Sequence, residues 1–240
     1  MKGLLAAISL LTRVPVSLDL QPHDLRAASG YFGLVGLLFG AASAAIAPLA
    51  PHCGPLITAT LICISWAWLS GGLHLDGVAD VCDGMGGGRG DRQRTLSIMR
   101  DPRVGAHGVA GLCLLLLLKV FAGARCIEVG QLAALWLSPA FARANLPALL
   151  GLPSGRPGGL ADHVRPSRPT MSFLLNLLWL LPPLLFLSPQ LFLAIFGGAL
   201  PALGLGMWAR RRLGGITGDV LGAAIESGEV AFMVSALLLS

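Results

Sequence analysis

Six of the chain's 12 acidic residues fall into two groups spaced like one face of a helix. Asp76, Asp80 and Asp83 stand at i, i+4 and i+7 in Gly71-Gly-Leu-His-Leu-Asp-Gly-Val-Ala-Asp-Val-Cys-Asp-Gly84, and a helix turning about 100° per residue shows all three within about 60°. Carboxylates held this close repel, and some would keep a proton. A hard divalent cation such as Mg²⁺ removes that conflict, because it takes oxygen ligands and bridges carboxylates to substrate phosphates. Asp76, Asp80 and Asp83 are therefore read as metal ligands and catalytic carboxylates. The bland alternative, acids that cap a helix and face water, suits one Asp better than three in phase beside an apolar run. His74 lies about 160° from Asp76 on a continuous helix, so packing or a local hydrogen bond suits it better than ligation, unless the helix breaks at Gly71 and Gly72.

Asp219, Glu226 and Glu229 form the second group, again on one broad face, with Gly222 and Ala223 between them to allow close helix packing. Acids inside an apolar span are functional residues by default. The competing reading is a structural ion pair with Arg143, the cation of another apolar stretch. The linker after the first group carries Arg89, Arg92, Arg94, Arg100 and Arg103, whose guanidinium groups suit bidentate contact with a diphosphate. Asp101, in Asp101-Pro102-Arg103, either returns to the cluster or caps the next helix. Gly84-Met-Gly-Gly-Gly-Arg-Gly-Asp91 lacks the Gly-Lys-Ser/Thr of a phosphate loop and has Arg89 where a dinucleotide fingerprint needs Gly, so it reads as a flexible loop.

These groups need a frame, and composition says which kind. The chain is 55% hydrophobic and 12% charged, with a mean hydropathy of +0.76, whereas soluble domains carry about 25% charged residues. The apolar excess must face lipid. Seven stretches approach the roughly 20 residues a bilayer requires: about 30–50, 55–74, 106–124, 131–150, 172–188, 190–208 and 220–239, with Pro182, Pro183 and Pro189 leaving the fifth and sixth open as a re-entrant pair and the count open between five and eight. The expectation is an all-α polytopic membrane bundle of about seven helices, one domain over 1–240, with residues 1–29 cytoplasmic or interfacial and loops at 84–105 and 151–171.

The net charge of +5 raises nucleic acid as a partner, but scattered Arg between apolar runs is not a basic face. With the N-terminus inside, 14 of the 17 basic residues fall on the cytoplasmic side, which supports an N-in, C-out topology. Lys119 and Arg143 fall within spans. The five cysteines show no metal or disulfide spacing.

Taken in order, Ser9-Leu-Leu-Thr-Arg13-Val-Pro15, the run Gly71 to Gly84, Ile98-Met-Arg-Asp-Pro-Arg-Val-Gly-Ala-His-Gly108, Ala142-Arg143 with Pro147, and Gly214-Gly-Ile-Thr-Gly-Asp-Val-Leu-Gly-Ala-Ala-Ile-Glu226 make the chain resemble the cobalamin synthase family, the adenosylcobinamide-GDP ribazoletransferases. Departures are few: Arg100 stands where Lys is frequent, Ser97 where Glu is common, Cys82 where Ala is usual, and 85–90 is richer in Gly. The resemblance implies an Mg²⁺-dependent enzyme of the bacterial inner membrane, with its site toward the cytoplasm. Its substrates would be adenosylcobinamide-GDP and α-ribazole or α-ribazole 5′-phosphate, and its products the cobamide and GMP. In that setting Asp76, Asp80 and Asp83 hold metal against the diphosphate. Arg89, Arg94, Arg100, Asp101 and Arg103 contact substrate, while Asp219, Glu226, Glu229 and Arg143 form a second wall or position the corrinoid. Asp80, Asp83 and Glu226 remain alternatives for the base. A homo-oligomer stays open. A CDP-alcohol phosphotransferase is the enzymatic alternative, since Asp80-Val-Cys-Asp83-Gly84 opens that signature, but Gly87-Gly88 stand where it needs Ala-Arg. A cation transporter is the non-enzymatic one, and it would need acids at mid-bilayer on several helices.

Overall fold

The computed structural model describes residues 2–16, 19–184 and 188–239. Among these there is no strand, only one isolated parallel bridge between Ser154 and Ile216. A short α1 (Lys2–Leu11) precedes α2 (Pro22–Ala28), which runs through a 3₁₀ turn into α3 (Phe32–Ile46) and on to α4 (Ala50–Cys53). Next come α5 (Pro55–Ser70), α6 (Leu73–Gly87), α7 (Arg92–Ile98) and α8 (Ala106–Glu128). The remainder is α9 (Leu132–Ala144), α10 (Leu146–Leu150), α11 (Leu160–His163), α12 (Pro169–Leu184), α13 (Pro189–Arg212) and α14 (Gly218–Leu238).

The all-α membrane architecture is as expected. Among the described residues four helical runs, Pro22–Cys53, α8, α13 and α14, are long and apolar enough to cross a bilayer, and a fifth appears if α5 and α6 form one bent span. The expected span 55–74 stops at Ser70, because Gly71 and Gly72 take positive φ (63° and 80°) and α6 leaves at 92° to α5. The stretch 131–150 divides at Asn145 into α9 and α10, and α12 has only 16 residues. None of these reaches the length of a spanning helix alone. The end of the expected fifth span, 185–187, lies outside the described residues. The segment 84–105 is not simply a loop: Gly84, Gly86 and Gly87 extend α6, and α7 follows. A Cβ at Gly86 would lie 2.4 Å from the His107 ring, so these glycines admit neighbours.

Helix α14 is the axis of the bundle. Buried residues make up 72% of its most apolar window, against 28% for α8 and for α13, and it packs on α13, α6, α9 and α8. The outer helices show lipid-type faces, with Leu114, Leu117 and Phe121 on α8 and Phe192, Phe196 and Leu200 on α13 all exposed. Small residues set the helix spacing, as they do where lipid removes any hydrophobic drive between helices. On α3, a Cβ at Gly36 would come within 2.5 Å of Ala140 Cα and one at Gly40 within 2.1 Å of the Trp136 carbonyl oxygen, so α9 lies directly on the α3 backbone. The resulting prediction is that Gly40→Val lowers thermal stability in detergent by about 1–3 kcal/mol through overpacking. Leu38→Val, at an exposed site on the same helix, should leave the melting midpoint nearly unchanged.

Candidate active site

The site begins where α6 crosses the first turn of α14. A Cβ at Gly77 would lie 2.6 Å from the Asp219 carbonyl oxygen, and one at Gly222 would lie 3.1 Å from His74 Cα. The two helices therefore run in opposite directions with their backbones in near contact. This crossing joins acids 143 residues apart in the chain: the carboxylate of Asp80 lies within electrostatic reach of Asp219 and Asp76, and Asp219 within reach of Asp76. Thr217 caps α14, its hydroxyl accepting from Val220 N at 3.4 Å.

Asp83 is engaged differently. Its Oδ2 accepts from Gly105 N at 2.7 Å and its Oδ1 from Gly108 N at 2.8 Å, so this buried side chain satisfies two of the orphan amides that begin α8 and lies at the positive end of that helix. Gly105 and Gly108 are required by its closeness, since a Cβ at either would fall within about 2.5 Å of the carboxylate. The in-phase triplet thus divides: Asp76 and Asp80 face the α14 terminus, while Asp83 ties α6 to α8.

A cavity of about 140 Å³ lies beside the crossing, with Asp76, Asp219, His74, Thr217 and Arg156 among its walls. Its volume is below the roughly 300–1,000 Å³ of small-molecule sites, so it admits one group of a larger molecule. Arg156 arrives because the loop after α10 pairs with the strand-like approach to α14: Gly155 N donates to Ile216 O at 2.9 Å, and Ile216 N to Pro153 O at 2.8 Å. Its NH2 stands 3.3 Å from Asp219 Oδ2. Arg89, Arg94 and Arg100 are exposed and form no ion pair among the described residues. Asp101 accepts a fork from Arg103 at 2.9 and 2.7 Å, a hydrogen-bonded pairing that holds its carboxyl down to about 2. Arg92 is anchored, its Nε donating to Leu213 O at 2.8 Å.

Deeper along α14 lies a separate, buried network. Lys119 Nζ donates to Glu226 Oε2 at 2.6 Å and also to Glu229. Arg143 NH1 donates to Glu229 Oε1 at 2.6 Å and to Pro139 O at 3.0 Å. Every one of these side chains is at most 5% exposed, with Lys119 over the Trp66 ring and Arg143 over Phe39. Two cations balance two anions. Glu226, Glu229 and Arg143, expected as a second wall of the site, are brought together here in the alternative ion-pair arrangement, away from Asp219.

Three residues outside the assigned site set belong to this picture. Lys119 was visible as a lone cation after five consecutive Leu. His74, which helical phase assigns to packing or a hydrogen bond rather than to ligation, is buried against Arg143, with 3.4 Å between Nδ1 and NH2. Arg156 gave no signal, because only the loop pairing brings it in. As for a cation, Asp76, Asp80 and Asp219 offer hard oxygens in excess of the one facing guanidinium, a donor set that suits Mg²⁺ sharing its shell with phosphate. No closed cage of three His, Cys, Asp or Glu exists among the described residues, so an ion here would need a ligand to complete it.

Comparison with known proteins agrees over the full length. The family model described as cobalamin-5-phosphate synthase matches residues 3–238. The chain is 41% identical to the adenosylcobinamide-GDP ribazoletransferase of Pseudomonas aeruginosa (strain UCBPP-PA14), with 99% of this chain and 98% of the relative covered. It is 39% identical to that of Pseudomonas putida (strain GB-1), with 98% of each covered. The match to that of Stutzerimonas stutzeri (strain A1501) is 38%, covering 99% and 98%. No solved structure matches the chain.

The buried network yields a stability prediction independent of any substrate. Lys119→Met leaves Glu226 and Glu229 sharing one guanidinium and should destabilise the bundle by about 3–5 kcal/mol. Adding Glu226→Gln should recover a measurable part of that loss in the melting midpoint of the detergent-purified protein.

Proposed function

The chain belongs to the cobalamin-5-phosphate synthase family, and on that premise we propose that it is an adenosylcobinamide-GDP ribazoletransferase joining adenosylcobinamide-GDP to α-ribazole or α-ribazole 5′-phosphate. The observation that carries the reading is that Asp80 lies within electrostatic reach of Asp76 and Asp219, and that these two line one cavity with Arg156. A hydroxyl of α-ribazole attacks the cobinamide-side phosphorus. The bond from that phosphorus to the bridging oxygen breaks, and GMP departs with the oxygen and its electrons. The product is the cobamide, or its 5′-phosphate when the acceptor is phosphorylated.

The residues divide the work by what each is free to do. Asp83 gives both oxygens to α8 amides and Glu226 is held by Lys119, so neither is placed to take the hydroxyl proton. Asp80 is half-buried beside the other acids, its side chain making no hydrogen bond among the described residues, and is the base in this scheme. Asp76, Asp80 and Asp219 would hold Mg²⁺, which when bound offsets the charge of the diphosphate. Arg156 stabilises charge in the cavity, and the exposed Arg89, Arg94 and Arg100 attract the guanosine phosphates from the loop side. Glu229 and Arg143 support the floor through α14 rather than touching the nucleotide.

The orientation belongs to the same proposal. The loops carrying most of the basic residues gather at the α14 N-terminus, which supports a cytoplasmic site in an inner membrane with the N-terminus inside and the C-terminus outside. A periplasm-active reporter fused after Ser240 should be active, and one inserted in the 151–171 loop inactive. The reverse result would overturn this orientation.

The chemistry is tested by incubating detergent-purified protein with adenosylcobinamide-GDP, α-ribazole and Mg²⁺ and following GMP. Release is expected, and its absence from folded protein would defeat the assignment. Asp80→Asn should lower kcat by roughly 10²–10⁴, and chelation of divalent cations should stop release until Mg²⁺ is restored. Asp83→Asn should lower the melting midpoint as well as the rate, because it removes one carboxylate oxygen from two α8 amides.

A further inference from the structure

We propose that His74 is a substrate-binding residue whose Nε2–H donates to a phosphoryl oxygen in the cavity between α6 and α14. The identity of that phosphate rests on the reaction proposed above; the donor itself does not. His74 is 2% exposed and forms part of the cavity wall. Its Nδ1 lies 3.4 Å from Arg143 NH2, and a guanidinium can only donate. Nδ1 is therefore the acceptor, and the single ring proton sits on Nε2. Glu226 Oε1, at 3.9 Å from Nδ1, is too far to claim a proton there. Arg143 is itself fixed by Glu229 and the Pro139 carbonyl, so the tautomer is imposed by the buried network.

Nε2 is then a buried donor with no partner among the described residues. Such a group costs about 1–3 kcal/mol when unsatisfied, and buried polar atoms normally find partners. Arg156, also on the cavity wall, has its Nε buried without a hydrogen bond among the described residues, while its NH2 faces Asp219 Oδ2 at 3.3 Å. Two donors without acceptors bordering one cavity call for a ligand rich in acceptors, and the small volume suits a single phosphoryl group. Asp76 and Asp219 also line the cavity and would repel a bare anion, so the phosphate arrives paired with a divalent cation. A neutral His adds a donor without disturbing the balance of Lys119 and Arg143 against Glu226 and Glu229.

Two substrates carry this chemistry: the diphosphate of adenosylcobinamide-GDP and the phosphate of α-ribazole 5′-phosphate. The full-length protein is assayed as wild type, His74→Phe (ring volume without a donor) and His74→Gln (a donor at similar reach). If the diphosphate occupies the site, His74→Phe raises KM for adenosylcobinamide-GDP by roughly tenfold with either acceptor. If the acceptor phosphate does, only KM for α-ribazole 5′-phosphate rises. In both cases His74→Gln restores most of the loss, and the Phe variant binds magnesium pyrophosphate roughly tenfold more weakly by titration calorimetry. Unchanged KM values with unchanged pyrophosphate affinity in His74→Phe would overturn the proposal, as would a Gln variant no better than Phe. Should the Phe variant not fold, ¹⁵N-histidine spectra of the wild type decide: the His74 signal, assigned with His74→Gln, must report an Nε2–H tautomer and shift on adding magnesium pyrophosphate. A δ tautomer or an unmoved signal overturns it. Pyrophosphate binding that needs His74, without GMP release, would leave this inference standing and remove the reaction.

Discussion

One lysine, one arginine and two glutamates, paired in the buried interior of a bundle that faces lipid, set the terms for everything else in this protein. A charge buried alone is costly enough that it must pair or lose its proton. Glu226 and Glu229 on α14 thus have to meet Lys119 from α8 and Arg143 from α9, and three helices are fixed in rotation and depth at once. Apolar packing alone lacks that specificity, because one leucine face slides on another and lipid is as good a neighbour as either. An ion network held by hydrogen bonds has one register.

The catalytic end inherits that register. With α14 fixed in depth, its N-terminus stops at the level of Gly77, and the absence of a side chain there brings Asp219 beside Asp76 and Asp80. Asp83 fixes the other side of α6 by capping α8, and Arg92 ties α7 to the end of α13. The acids at the site are therefore held by helix backbones and glycine contacts rather than by pairing with one another, which leaves them available for a cation and substrate. Arg143 links the two levels: NH1 of its guanidinium closes the ion network, and NH2 sets the tautomer of His74 at the cavity wall.

Much of this was legible in the order of residues. The helical class, the lipid-facing surface, the two acid groups Asp76, Asp80, Asp83 and Asp219, Glu226, Glu229, and a buried partner role for Arg143 follow from hydropathy, phase and rarity of charge; that Asp219 joins Asp76 and Asp80 does not. Other features were not. Phase placed Asp83 with Asp76, but phase describes one helix and is silent about the α8 amides waiting beside it. Gly84, Gly86 and Gly87 looked like a loop because isolated glycines weaken helices; packed against Met99, His107 and Ile98 they extend one. The stretch 131–150 had the apolar length of a span, yet it divides at Asn145 next to Pro147.

By itself, then, the amino-acid order determined what kinds of groups this protein has and which could share a face, since periodicity, composition and charge act within a segment and need no partner to be read. Tertiary structure alone decided which charges neutralise one another and which stay free for chemistry. Lys119 claims Glu226, the α8 terminus claims Asp83, and the loop pairing at Ile216 delivers Arg156 to Asp219. The reason is electrostatic. The role of a carboxylate depends on the nearest donor in space, and here those donors come from elements 22 to 107 residues away along the chain.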